Sequence, residues 1–300
     1  MMRVFALGVV SATILGVLAG PTWANDDLPD VKSRAVMVLD AETGAEIFSK
    51  SADEVRPIAS TTKIFVALVV RRRGIDLDGW TKITRTDVRA ATGGARTRLD
   101  INESFRNRDL LRAMLMSSDN RAPTALARAV GLEPHELVTA MNKVAKELHL
   151  KRTKFTDTSG LRGNVSTARE MAIALRAALR DKVLRDIMST ESFRIESKDR
   201  SARIDYLTTN VPLQSKKHDV IGGKTGFTKP AGYCFITGAR FEKREVMMVF
   251  LGAPEKLTRF GDFNRVASWL ERGAPGSRIA LKRPKRAAPK ADASIAGHVD

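Results

Sequence analysis

The chain has 300 residues, 43% of them hydrophobic, with 51 Lys and Arg against 34 Asp and Glu for a net charge of +17. That length suits one large domain or two interleaved subdomains, and no internal repeat recurs along it. The single cysteine, Cys234, excludes an intramolecular disulfide and reads as a buried small hydrophobe; four scattered histidines, His135, His149, His218 and His298, lack ligand spacing and leave zinc hydrolysis or a Ser-His-Asp triad little support.

Residues 1–24 read as a signal peptide, with Arg3 at the start, an apolar stretch from Val4 to Leu18, a break at Gly20-Pro21 and small Ala24 before Asn25. The periplasm is then the expected compartment and 25–274 the folded domain; left uncleaved, the same segment would be a short anchor. Ala35 to Leu39 and Ala45 to Phe48 flank Asp40-Ala41-Glu42-Thr43-Gly44 as a β-hairpin. Ser60-Thr61-Thr62-Lys63 comes next, opening an apolar run from Ile64 to Val70 that ends in Arg71 to Arg73 and a left-handed cap at Gly74. Ser60 is thus expected in the first turn of a buried helix, with an unpaired N–H available to an oxyanion. Residues three apart share a helix face, so Lys63 can reach Ser60 and take its proton.

From Gly74 to about Ser201 the patterns are mainly helical, including Pro134 to Leu148 and Thr167 to Leu179. Leu110, Leu111, Met114 and Leu115 recur at helical spacing before Ser118-Asp119-Asn120, a polar turn that either points side chains into a cleft or caps the next helix. Strands are expected at Asp219 to Lys224, Gly232 to Arg240 and Glu245 to Leu251, and a last helix near Arg259 to Glu271. The first of these strands leads through Gly222-Gly223, small enough for a close backbone, into Lys224-Thr225-Gly226, a cation, a hydroxyl and a glycine suited to an extended substrate ending in a carboxylate. Beyond Gly273 the chain turns to Ala, Pro and basic residues, and 275–300 reads as a disordered basic tail.

Each of the three short motifs is weak alone; together in this order they are a coincidence on the order of one in a hundred. The chain resembles the low-molecular-mass penicillin-binding proteins, serine D,D-peptidases of the D-alanyl-D-alanine carboxypeptidase family, over nearly its whole mature length. Met116-Ser117-Ser118-Asp119-Asn120-Arg121-Ala122, Asn164-Val165-Ser166-Thr167-Ala168-Arg169-Glu170, and Lys224-Thr225-Gly226-Phe227-Thr228 with Ala231-Gly232-Tyr233-Cys234 are most similar to its murein D,D-endopeptidase branch. Asp119 stands where the carboxypeptidase branch usually has glycine, and the tail is too short for the extra β-domain and anchor of many carboxypeptidases.

The resemblance implies an α/β (α+β) fold of the β-lactamase and transpeptidase type, an antiparallel sheet flanked by helices with an inserted helical subdomain. It implies that Ser60 forms an acyl-enzyme, Lys63 accepts its proton and Ser118 relays a proton to the leaving amine. Asn120 holds Lys63 and the substrate amide; Lys224 and Thr225, with Gly226, bind the carboxylate side of the leaving residue; the N–H groups of Ser60 and Phe227 form the oxyanion hole. No cofactor or metal is implied. Lys63 must be neutral to act as base, so burial and the charge of Lys224 are expected to lower its pKa. Asp119, Arg121 and the Ala231-Gly232 pair are expected to shape the leaving side and so to choose between a cross-link and a terminal D-alanine.

The partners implied are peptidoglycan peptides and, as covalent inhibitors, β-lactams; the basic tail suits anionic envelope surfaces. Nucleic-acid binding through the tail and Arg71-Arg72-Arg73 ranks below this, because export separates the chain from DNA and no reading motif is present. A β-lactamase would need a deacylating carboxylate near Phe155 to Leu161, where Asp157 alone stands and reads as a turn cap.

Overall fold

The computed structural model describes residues 28–95 and 97–274; the expected signal peptide and the basic tail from 275 onward lie outside the described residues. An antiparallel hairpin, β1 (Ala35–Asp40) and β2 (Glu46–Lys50), comes first. Asp40 sets its turn by accepting from the N–H groups of Glu42 and Thr43 and the Thr43 hydroxyl. Short β3 (Arg56–Pro57) leads into a 3-10 turn, Ala59–Thr62, and then α1 (Lys63–Arg72), which Gly74 closes at φ +71°.

The middle of the chain contains β4 (Trp80–Lys82), α2 (Arg85–Ala90), β5 (Ser104–Arg106), α3 (Asn107–Met116), α4 (Ala122–Ala129), α5 (Pro134–Glu147), β6 (Val165–Ser166), α6 (Ala168–Arg180), α7 (Lys182–Met188), β7 (Ser192–Glu196), β8 (Arg203–Leu207) and α8 (Val211–Ser215). Three long strands, β9 (Asp219–Thr228), β10 (Gly232–Phe241) and β11 (Arg244–Ala253), precede the last helix, α9 (Thr258–Glu271).

The first hairpin joins the last strands in one antiparallel sheet of order β2-β1-β11-β10-β9, with Val38 opposite Met248. Side chains alternate across a strand, and here both faces are buried. Met37 and Leu39 of β1, Ile236 of β10 and Met247, Val249 and Leu251 of β11 join a core shared with the helical part. Val36, Val38, Phe235, Met248 and Phe250 face the other way, onto Phe263, Val266 and Trp269 of α9. Each such side chain stabilises by about 1.5–3 kcal/mol, so a slip of one residue would exchange two differently shaped sets and is strongly disfavoured.

Of the hairpin pairs β4–β5 and β7–β8, the strands β4, β5 and β7 lie in the region read from sequence as helical and β8 just beyond it. In the second, Phe193 and Ile195 sit opposite Tyr206 and Ile204 while charged Arg194 faces Asp205, so the apolar alternation is too short to register in a charge-rich stretch. The consequence for function lies at the sheet edge. Among the described residues β9 pairs with β10 alone, and its other side packs against the 3-10 turn at Ala59–Thr62. The cleft opens there, between the sheet and the turn joining α3 to α4.

Candidate active site

Ser60 lies in the 3-10 turn just before α1, one step earlier than the first-turn position read from sequence. Ala59 takes a left-handed φ of +48°, which a non-glycine residue rarely adopts and which bends the chain sharply into the serine. Among the described residues the Ser60 N–H has no acceptor. It faces Gly226 across the cleft, where a side chain would stand 3.0 Å from that nitrogen, so the glycine keeps the donor open.

Lys63 is fully buried, and its Nζ lies 2.7 Å from Asn120 Oδ1, 2.8 Å from Ser60 Oγ, 3.3 Å from the Ser159 carbonyl and 3.4 Å from Ser118 Oγ. The Asn120 and Ser159 oxygens can only accept. A neutral amine has two N–H bonds and one lone pair; with both donors so engaged, the lone pair is left to a hydroxyl, and Ser60 is the nearer one. Burial lowers the Lys63 pKa to about 7, against the opposing pull of the Asp119 and Asp157 carboxylates. The ammonium and the amine are therefore both accessible near neutrality, the condition for a general base.

Ser118 takes a φ of +64°, a strained conformation for a residue with a side chain, and so turns its hydroxyl towards Lys63. Neighbouring bonds hold it. Asp119 N–H donates to the Ala113 carbonyl, and Ser117 Oγ donates to Leu207 O at 2.7 Å.

Lys224, Thr225 and Gly226 lie inside β9, which runs on to Thr228 rather than ending at the lysine. Lys224 is buried with Nζ on the Thr225 carbonyl at 2.7 Å, and among the described residues no carboxylate pairs with it. Its pKa falls well below the ordinary lysine value, through burial first and then the charges of Lys63 and Arg259. Burial is the first lowering influence on both lysines, and their repulsion disfavours charging the two together. Phe227 is 50% exposed and stacks on Tyr233 at 4.2 Å, an aromatic rim beside the motif.

Residues 22–255 match the D-alanyl-D-alanine carboxypeptidase family of peptidases. The chain belongs to this family. A D-alanyl-D-alanine endopeptidase of Escherichia coli is 30% identical over 264 residues, covering 86% of this chain and 85% of that protein. A D-alanyl-D-alanine endopeptidase of Pseudomonas aeruginosa is 32% identical over 245 residues, covering 81% and 79%. Among solved structures, a D-alanyl-D-alanine carboxypeptidase from Mycobacterium tuberculosis superposes with a TM-score of 0.75 at 25% identity, covering 85% of this chain and 96% of that one.

In this member of the D-alanyl-D-alanine carboxypeptidase family, several residues unmarked by the motifs build the site. Asp157 caps a turn, as its sequence suggested: its carboxylate accepts from the N–H groups of Ser159, Gly160, Leu161 and Arg162 and so aims the Ser159 carbonyl at Lys63. Asn164 ties that loop to the nucleophile turn, donating to Thr62 Oγ1 at 3.1 Å and to the Asp157 carbonyl at 2.9 Å while accepting from Thr156 N–H. Gly160 packs so closely that a Cβ would overlap the Ala59 carbonyl. Arg259 is 6% exposed beneath the motif strand and donates to the carbonyls of Gly226 at 2.8 Å and Cys234 at 3.1 Å.

The residues expected to shape the leaving side do other work. Asp119 is turned inward, accepting from Arg98 N–H, Arg121 N–H and the Tyr206 hydroxyl. The Arg121 guanidinium donates to the Leu99 carbonyl, and Ala231 is buried at the β9–β10 turn with Gly232 against the Ala253 carbonyl. A buried carboxylate takes the nearest N–H donors, which here belong to its own turn and to the segment beside it.

Proposed function

We propose that this chain is a murein D,D-endopeptidase that hydrolyses D-alanyl cross-links of peptidoglycan through an acyl-enzyme on Ser60. The observation that carries the reading is the buried Lys63 amine 2.8 Å from Ser60 Oγ, with no carboxylate among the described residues paired to it. Neutral Lys63 takes the hydroxyl proton as Oγ attacks the D-alanyl carbonyl, and the N–H groups of Ser60 and Phe227 receive the oxyanion. Collapse breaks the C–N bond, and the leaving amine takes its proton from Lys63 by way of Ser118. Water then hydrolyses the ester, with the same lysine accepting its proton. Asn120 holds Lys63 and the substrate amide, while Lys224, Thr225 and Gly226 seat the carboxylate side of the leaving residue.

Two relatives named D-alanyl-D-alanine endopeptidases, matched along most of both chains, support cross-links as the substrate. The substrate places the enzyme in the periplasm, and β-lactams acylate the same hydroxyl. Purified enzyme should be given a cross-linked muropeptide dimer and a pentapeptide monomer separately and the products followed by mass. We expect kcat/KM at least about tenfold higher for the dimer. Rapid removal of terminal D-alanine with dimers left intact would reassign the enzyme as a carboxypeptidase.

A further inference from the structure

The two cations described at the carboxylate seat on β9 are both buried. Lys224 is 1% exposed with its amine on the Thr225 carbonyl, and Arg259 lies beneath the strand, donating to two backbone carbonyls. Thr225 supplies the hydroxyl of the seat, and that hydroxyl has a partner the motifs do not mention: Thr209 Oγ1 at 2.6 Å.

Thr209 sits on the extended link between β8 and α8. Along this link Tyr206, Thr208 and Asn210 are buried while Leu207, Thr209 and Val211 are exposed, so the last three share one face. The Thr209 N–H donates to the Met116 carbonyl at 2.9 Å, which fixes the residue against the end of α3, just before Ser118. Thr209 therefore links the end of α3 to the motif strand β9.

Two hydroxyls share two protons, and their arrangement decides what Thr225 offers a ligand. If Thr225 donates to Thr209, it presents only lone pairs to the cleft, and these repel a carboxylate. If Thr209 donates to Thr225, the Thr225 proton is free for the ligand. The alternative acceptor for the Thr209 proton, Met116 O, is longer at 3.2 Å and already accepts the Thr209 N–H. The 2.6 Å contact serves either direction, and a carboxylate in the cleft selects the one in which Thr209 donates, because only that one leaves the Thr225 proton for the anion.

We propose that Thr209 is a positioning residue for leaving-side specificity: it donates to Thr225 Oγ1 and so commits the Thr225 proton to a free carboxylate on the leaving residue. This rests on the reading of Lys224 and Thr225 as the carboxylate seat. It commits the enzyme to cross-links whose leaving D-centre carries a free carboxylate and disfavours those in which that carboxylate is amidated. A chain of donors polarised towards an anion strengthens each bond in it. The flanking Leu207 and Val211, 65% and 42% exposed, share the face of Thr209 and add no charge of their own beside the hydroxyl pair.

The test uses matched synthetic substrates that differ only in a carboxylate or carboxamide on the leaving residue, with full-length mature enzyme. Thr209→Val keeps the shape and removes the donor; the carboxylate-to-amide ratio of kcat/KM should fall about fivefold, mostly through KM, and Thr209→Ser should restore it. Equal loss on both substrates would show a merely structural role and overturn the proposal, as would an unchanged ratio. Labelling by a fluorescent penicillin in parallel separates the two levels of claim. Absence of Ser60 acylation in the wild type would remove the underlying reading, whereas normal acylation with an unchanged ratio removes only the role of Thr209.

Discussion

The three long strands β9, β10 and β11 carry charge at both ends, handled in opposite ways. At the end away from the cleft Arg240 pairs with Asp219 and Glu245, each at 2.9 Å, Arg185 also holds Glu245, and Arg244 reaches Asp40 at 3.4 Å. These groups line a hollow of about 1400 Å³, yet their charges are paired and partly solvated. At the cleft end Lys63 and Lys224 are buried without any ion pair among the described residues. Size of cavity and chemical readiness thus part company. Paired surface charges contribute little beyond solubility, while a buried amine without a counter-ion is costly to charge and becomes a base.

The contrast breaks hardest at the nucleophile. Ser60→Ala should lower covalent labelling by fluorescent penicillin more than about a thousandfold with the fold intact by circular dichroism. Persistent labelling would move the nucleophile elsewhere. Lys63→Arg keeps a cation but cannot lose its proton near neutrality, so acylation should slow about a hundredfold to ten-thousandfold; a wild-type rate would remove Lys63 as base. Asn164→Ala strips the bond that ties the loop carrying Ser159 to Thr62 and leaves buried N–H groups unpaired. Acylation should fall about tenfold and unfolding free energy by about 1–3 kcal/mol, read by stopped-flow labelling and urea titration. At the far end Arg240→Ala should cost less than about 1 kcal/mol and leave labelling unaltered, and a larger loss of either would erase the distinction between the two ends.

Much of this division is legible in the chain. The motifs around Ser60, Ser118 and Lys224 stand on local patterns, and the hairpin at Asp40 and the alternation in β10 and β11 mark one antiparallel sheet, so fold and family follow. Features set by tertiary contact are less legible. The 3-10 entry to α1 depends on the left-handed Ala59, and the continuation of β9 past Lys224 depends on pairing of Phe227 with Tyr233, neither visible as periodicity. Asp119 reads as a cleft residue because its neighbours are, yet its carboxylate is drawn inward by the Arg98 and Arg121 amides. Thr209 and Arg259 carry no motif at all; only folding brings them, from 16 and 33 residues away, to Thr225 and Gly226.

The most direct measurement is the pH dependence of the second-order rate of penicillin acylation at Ser60. Below its pKa Lys63 holds the proton and cannot accept another. Burial sets that pKa at about 7, so the rate should rise about tenfold per unit towards 7 and level off above it. Asp119 and Asp157 favour the charged lysine, so Asp119→Asn should move the rising limb to lower pH. A rate that is flat from pH 5 to about 9, or that falls as pH rises through 7, would contradict a neutral Lys63 as the base that activates Ser60.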